Sequence, residues 1–163
     1  PGSVLTTTDD QWRASFDSVF LGSIRMARAV CTAIASCGHA ATGSLAWVLS
    51  TSAVEVFTGL TISNGLRPGL AMLVKDLADE VGPSGIRVNG LLPGRIATDR
   101  LAALDAASGD AAASRAMASA RIPLRRYGDP DEFARVAAFV LSPAAAYVTG
   151  TLIAVDGGVT RQP

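Results

Sequence analysis

The stretch Ile86 to Gly94, IRVNGLLPG, reads as a buried strand ending in a proline-glycine turn, and the elements on either side of it decide the fold. Upstream, Leu66, Leu70, Leu73, Val74 and Leu77 recur at spacings of three and four and mark a helical stripe, which GPSG at 82–85 stops. Further back, SLAWVLSTS (Ser44 to Ser52) is apolar without alternation, the pattern of a short strand covered on both faces of a parallel sheet. Before it, Thr8 with Gln11 three residues on forms a capping box. Trp12, Phe16, Val19, Phe20, Ala27, Val30, Cys31 and Ile34 then carry one apolar helical stripe to the neighbourhood of Cys37, where CGHAATG ends it. Downstream, the alanine-rich residues 98–120 predict one or two short helices in a mobile excursion. Asp129, Pro130 and Glu132 announce another helix, apolar through Phe133, Val136, Ala137, Val140 and Leu141, and TLIAVDGG is a third strand closing in a turn.

Helix, strand, helix, strand, helices, strand is the rhythm of an α/β doubly wound parallel sheet, here with three parallel strands and flanking helices. Residues 1–163 form a single domain. In such sheets ligands bind beyond the carboxyl ends of the strands. Those ends are Ser50 to Ser52, Pro93 to Thr98 and Asp156 to Gly158, and Ser63 and Arg67 follow the first by little more than a loop.

Composition narrows the function. With 49% hydrophobic and 17% charged residues the chain has the material for a sizeable core. Fourteen basic residues balance fourteen acidic ones, so no overall positive field draws it to nucleic acid or an anionic membrane, and small neutral ligands or protein partners are the expectation. Cys31 and Cys37 have neither a zinc spacing nor a disulfide framework and read as reduced thiols; no metal site is expected. With no run of about 18 apolar residues and no signal pattern, the expectation is a soluble cytoplasmic protein with no membrane partner. A first residue that is Pro1, in a loop already under way, reads as a domain incomplete at its N-terminus.

IRVNGLLPGRIATDR together with PLRRYGDPDEFARVAAFVLSPAAAYVTGTLIAVDGG resembles the C-terminal half of the short-chain dehydrogenase/reductase family. QWRASFDSVFLGSIRMARAV is similar to the family's long interface helix, so the resemblance covers nearly the whole chain. It implies a Rossmann-like fold in which the strands present are the last three of seven, leaving one edge of the first strand open. It also implies NAD or NADP as cofactor, provided that the glycine-rich N-terminal half is present, since G-x-G-x-x-G occurs nowhere in these residues. A small-molecule substrate and a homodimer or homotetramer through the helices near 8–37 and 65–81 follow from the same resemblance. The small residues Gly22, Ser23, Ala27, Gly69 and Ala71 allow the close helix approach that such an interface needs.

The family's catalytic set is Asn, Ser, Tyr and Lys, and here it is altered. The asparagine position falls on Val19, the tyrosine on Ser63 and the lysine on Arg67, while the serine is Ser52 or, with a longer loop, Ser50. Ser63, Asn64 and Arg67 look like a divergent subgroup with S-N-x-x-R. Halohydrin dehalogenases also carry arginine in the lysine slot, but they retain the tyrosine. A phenol near pKa 10 can be lowered to act as proton donor, whereas an aliphatic hydroxyl cannot titrate and a guanidinium stays protonated. The implied function is thus an NAD(P)-dependent oxidoreductase with altered acid chemistry on a carbonyl or alcohol, or else a catalytically silent member serving oligomerisation or regulation. The loop PGRIAT resembles the family's nicotinamide loop, with Pro93, Gly94, Ile96 and Thr98 as cofactor residues, through the Ile96 amide and the Thr98 hydroxyl.

Plainer readings stand beside these. Ser63 and Asn64 suit a helix start as caps, Thr98 suits the cap of the next helix, and the Asp156-Gly157-Gly158 turn suits strand closure. Pro68 implies that the regular helix begins near Gly65 or is kinked at the proline. Tyr127, Tyr147 and His39 have acid chemistry, but no spacing places them beside Ser63, and His39 reads as a solvated turn residue.

Overall fold

A computed structural model describes residues 2–37 and 43–161, so His39 lies outside the described residues. Strands β1 (Ser44–Val48), β2 (Arg87–Pro93) and β3 (Leu152–Val155) pair in parallel in the order β1-β2-β3. Ser44 lies opposite Arg87 at one junction, and Gly90 opposite Leu152 at the other. β2 is therefore central, and its Val88, Asn89 and Leu91 are fully buried. This is the Rossmann-like three-stranded portion that the sequence predicts.

β1 is shorter than SLAWVLSTS suggests. The Leu49 amide still reaches the Leu91 carbonyl at 2.8 Å, but Ser50 then caps a 3₁₀ turn over Thr51–Ala53 through the Ser52 amide, so the chain bends off the sheet. A serine hydroxyl that satisfies a backbone donor two residues on offers an alternative to the ladder, and here it prevails over the apolar run.

The first helical stripe folds as α1 (Asp9–Ser15), a π-helical segment (Phe16–Leu21) and α2 (Gly22–Ser36). The capping box forms as predicted: Thr8 Oγ1 accepts from the Gln11 amide and Gln11 Oε1 from the Thr8 amide. The run Asp9–Ser36 is, by length and composition, apolar enough to cross a membrane. It also carries the paired charges Arg25 and Asp17, 2.9 Å apart, and packs on the next long helix.

That next helix, α3 (Thr61–Val81), rules out one of the two readings of Pro68, a regular helix that begins near Gly65. It starts at Thr61 and continues through the proline, which stands on its exposed side. Pro68 has no N–H for the Asn64 carbonyl and would cost about 3 kcal/mol in a bare helix. Tertiary packing overrides this, because Leu66, Leu70, Ala71, Val74 and Ala78 are all buried on the same helix. Close approach adds to it: a Cβ at Gly65 would fall 2.7 Å from the Trp12 ring, and one at Gly69 2.8 Å from Phe20. The small residues Gly69, Ala27 and Ala71 thus serve packing within the chain, while Phe16, Met26 and Met72 are the large apolar residues these helices leave exposed.

Two short helices, α4 (Asp99–Ala106) and α5 (Ala111–Ala120), occupy the alanine-rich excursion. α6 (Pro130–Leu141) opens on the capping box of Asp129 and Glu132. Glu132 also holds Arg126 in a two-pronged pair at 2.6 and 2.7 Å, which with the Asp129 amide draws its pKa down to about 2. At the other end of α6, Arg87 donates to the carbonyls of Val140 (2.8 Å), Leu141 (3.4 Å), Ser142 (3.1 Å) and Val148 (3.2 Å). Asn89 donates to Val148 and accepts from the Thr151 amide. Arg87→Ala leaves these carbonyls without their charged donor and is expected to cost about 2–4 kcal/mol, read as a lower midpoint in urea unfolding. An unchanged midpoint would show that water replaces the guanidinium at little cost.

Candidate functional site

The N-terminal loop, the first helical run, the start of α3 and Arg100 of α4 line one pocket of about 240 Å³. Ser15 and Val19 enter it from the first helical run, Ser63, Leu66 and Arg67 from α3, and Arg100 from α4. A π turn inserts one residue into the helical repeat and re-aims the side chains around it, and such turns recur at functional sites. The position of the family's asparagine therefore does face the site, but it presents the apolar Val19.

Three serine hydroxyls form a chain. Ser63 Oγ lies 2.7 Å from Ser52 Oγ, and Ser52 Oγ donates to Ser50 Oγ at 2.9 Å. Ser52 has one hydroxyl hydrogen and gives it to Ser50, so the Ser63 hydroxyl is the donor in the first contact. Both alternatives for the family serine are thus in the same chain, with Ser52 buried and in direct contact with Ser63. Arg67, one turn along α3, donates from Nη1 to the Val48 carbonyl at 3.2 Å. Gly43 accepts from Arg87 and Leu49 donates to Leu91, so by strand alternation Val48 faces the open edge of β1, and Arg67 holds that edge where the strand ends. Burial and the nearby Arg100 pull the Arg67 pKa below its usual value, though a guanidinium remains charged at any working pH.

The capping reading of this stretch does not hold. Leu60 is the N-cap of α3, with no side-chain bond. Asn64 instead accepts from the Phe57 amide (3.2 Å) and donates to the Phe57 carbonyl (2.8 Å), pinning the loop before the helix as a second strand would.

The loop after β2 is placed by the sheet. Pro93 pairs with Val155, and the Gly94 amide donates to the Val155 carbonyl at 3.0 Å. A Cβ on Gly94 would lie 2.7 Å from Asp156 Cα, so glycine is needed there for two strand ends to meet. Gly128 donates to the Arg95 carbonyl and Ala97 donates to the Gly128 carbonyl, which turns the amide and carbonyl of Ile96 to the opposite side. Thr98 is the N-cap of α4, but its side chain makes no cap bond. The Ile96 amide thus points away from the Gly128 pairing and the Thr98 hydroxyl makes no cap bond, while Pro93 and Gly94 shape the loop. The Asp156 turn is structural, as read: its carboxylate takes the Gly158 amide and both the amide and hydroxyl of Thr160. Burial pushes the Asp156 pKa up, and the hydrogen bonds from Thr160, Gly158 and Val159 more than reverse this.

With this geometry in place, comparison with known proteins is decisive. A family model described as Enoyl-(Acyl carrier protein) reductase matches residues 1–160. The chain belongs to the short-chain dehydrogenase/reductase family. Among curated relatives, Protein FixR of Bradyrhizobium diazoefficiens is 40% identical over 156 residues, 94% of this chain and 51% of that protein. A peroxisomal 2,4-dienoyl-CoA reductase of Saccharomyces cerevisiae is 42% identical over 93 residues, 57% of this chain and 30% of that one. Among solved structures, an NADPH-bound short chain oxidoreductase from Pseudomonas aeruginosa PAO1, described as containing an atypical catalytic center, superposes with a TM-score of 0.86 at 30% identity. That match covers 99% of this chain and 62% of that one. The chain spans about half the length of FixR and about a third of the reductase.

Sequence reasoning about this short-chain dehydrogenase/reductase chain missed a second buried cluster. Asp105 of α4 is nearly inaccessible and accepts from the Tyr127 hydroxyl (3.0 and 3.1 Å) and from Ser114 of α5 (3.3 Å). Arg95 donates to the Tyr127 hydroxyl at 3.0 Å, and the Arg115 guanidinium lies 4.4 Å from the ring centroid. Burial and the bond to Asp105 push the Tyr127 phenol up, away from acid duty. Tyr127 is not among the residues lining the Ser63 pocket, and Tyr147 is fully exposed. An aspartate in the last turn of a short helix carries no sequence signal of burial. Asp105→Ala is expected to raise amide hydrogen exchange across residues 99–120 while leaving β2 protected. Unchanged exchange there would show that the alanine-rich helices are held by something else.

Proposed function

We propose that the protein is an NAD(P)-dependent oxidoreductase that interconverts a carbonyl and an alcohol on a small molecule, with Ser63 and Arg67 at the reacting centre where the family has tyrosine and lysine. The observation that carries this is that Ser63, which lines the pocket together with Arg67, touches the buried Ser52 behind it. The Pseudomonas aeruginosa neighbour supports it, as a short chain oxidoreductase with NADPH bound and an atypical catalytic center.

A bound nicotinamide would supply or accept the hydride. The Ile96 amide and Thr98 hydroxyl are the residues of this chain that would hold it, and its phosphates need a glycine-rich turn that residues 1–163 do not contain. The rest is done by the pocket. With Ser52 donating to Ser50, Ser63 gives its hydrogen to Ser52, leaving its lone pairs to accept from a substrate alcohol. Rotating the three hydroxyls reverses the chain: Ser50 donates to Ser52, Ser52 to Ser63, and Ser63 to a carbonyl oxygen. The Ser63 oxygen never has to ionise, and protons pass along the chain from solvent. Arg67 moves no proton and acts as a fixed positive charge beside the oxygen on which negative charge develops.

The alternative, a catalytically silent member serving oligomerisation or regulation, has its own observation: none of the side chains lining the pocket titrates near neutrality. Cytoplasmic location and a homodimer or homotetramer built on the helices near 8–37 and 65–81 complete the proposal, with exposed Phe16, Met26 and Met72 in support. Turnover against a panel of carbonyls and alcohols tests it. Ser63→Ala is expected to lower kcat by about 100-fold with cofactor affinity unchanged. Cofactor binding with no turnover by the unaltered protein would select the silent reading, and unchanged kcat in Ser63→Ala would remove Ser63 from the reaction.

A further inference from the structure

The charge of the pocket is one-sided. Arg67 from α3 and Arg100 from α4 both line it, and the other lining residues are glycine, serine, threonine and aliphatic side chains. Among the described residues neither arginine has a carboxylate partner within ion-pair distance. Four of the other arginines, Arg13, Arg25, Arg95 and Arg126, do have one. Among the described residues the side-chain bond of Arg67 is to the Val48 carbonyl, through Nη1, and the remaining donors of the fork have no partner there. Burial, and after it the charge of Arg100, pulls the Arg67 pKa down in the pocket that both line. Two like charges converging on a partly buried space are relieved by an anion between them, and two guanidinium forks match the paired oxygens of a carboxylate or the oxygens of a phosphate.

We propose that Arg67 and Arg100 form an oxyanion-binding pair that selects small substrates carrying a carboxylate or a phosphate, with the reacting carbon held at Ser63. A volume of about 240 Å³ lies below the usual range for ligand pockets and suits a short acid rather than a long acyl chain. Arg67 is half-buried on α3, while Arg100 is exposed on α4, the helix that Asp105 ties to Tyr127. An anion bridging the two therefore links α3 to α4. The selection rests on the reading of this pocket as the reaction site, and it is separable by experiment because binding is read without cofactor or turnover.

The experiment titrates the protein, free of cofactor, with acetoacetate and with its uncharged analogue acetylacetone by calorimetry, and repeats both with Arg100→Gln and Arg100→Lys. Acetoacetate is expected to bind at least about tenfold tighter than acetylacetone, with inorganic phosphate competing. The preference is expected to vanish in Arg100→Gln and persist in Arg100→Lys, which keeps the charge. Equal affinities, no binding of acetoacetate, or a preference unaffected by Arg100→Gln would each overturn the pair. Displacement of acetoacetate by NADPH would assign the anion to the cofactor and overturn the substrate assignment. A protein that keeps the charge preference yet turns over no carbonyl would leave the pair standing and reject the oxidoreductase reading.

Discussion

Arg87 is the interaction around which the fold is arranged. It sits at the start of the central strand and reaches across to the last carbonyls of α6 and to Val148, before β3. The final turn of any helix leaves carbonyls without partners, and here one guanidinium serves them and also ties down the connection to the third strand. Asn89, two residues along the same face of the strand, repeats the device at Val148 and Thr151. Both faces of β2 are thus committed, one polar contact set closing the crossover and the apolar residues Val88 and Leu92 joining the core. The strand ends set in this way put the Ser50 to Ser52 turn and the Pro93 to Thr98 loop at the same end of the sheet.

From that placement the chemistry of the site follows. A tyrosine and lysine pair works because a cation lowers a phenol toward neutrality. Ser63 and Arg67 retain hydrogen bonding and charge but have no group that titrates. In the proposed mechanism a proton path runs through three hydroxyls, and two fixed guanidiniums stand where the family has one ammonium. The balanced net charge of the chain suggested neutral ligands, yet the local arrangement of Arg67 and Arg100 favours an anion. A sum over the sequence carries no information about which charges face the same space.

Much of this was legible in the sequence. The three strands and the long helices follow from apolar spacing, and both capping boxes, at Thr8 and Asp129, formed with the partners that their spacing requires. The resemblance sets Ser63 and Arg67 at the family's tyrosine and lysine positions, and the structure puts both on one pocket, with Ser52 touching Ser63. What was not legible depended on packing. Pro68 argues locally against a helix that begins at Thr61, but five buried side chains on α3 outweigh one missing hydrogen bond. Asn64 looked like a cap because its residue type favours caps, whereas its amide matched both backbone groups of Phe57 in a loop whose path the sequence does not reveal. Asp105 and Arg100 lie in an alanine-rich stretch with no periodic signal, and only the tertiary fold buries the one and turns the other to the pocket.

The claim that Ser63 serves without ionising is tested most directly by the pH dependence of kcat for reduction of a carbonyl substrate. With a hydroxyl chain and permanently charged arginines at the reacting centre, the profile is expected to be flat from about pH 6 to about pH 10, since no group there titrates in that range. A limb with an apparent pKa inside it, surviving in Ser63→Ala, would show that another residue supplies the proton and would contradict the account.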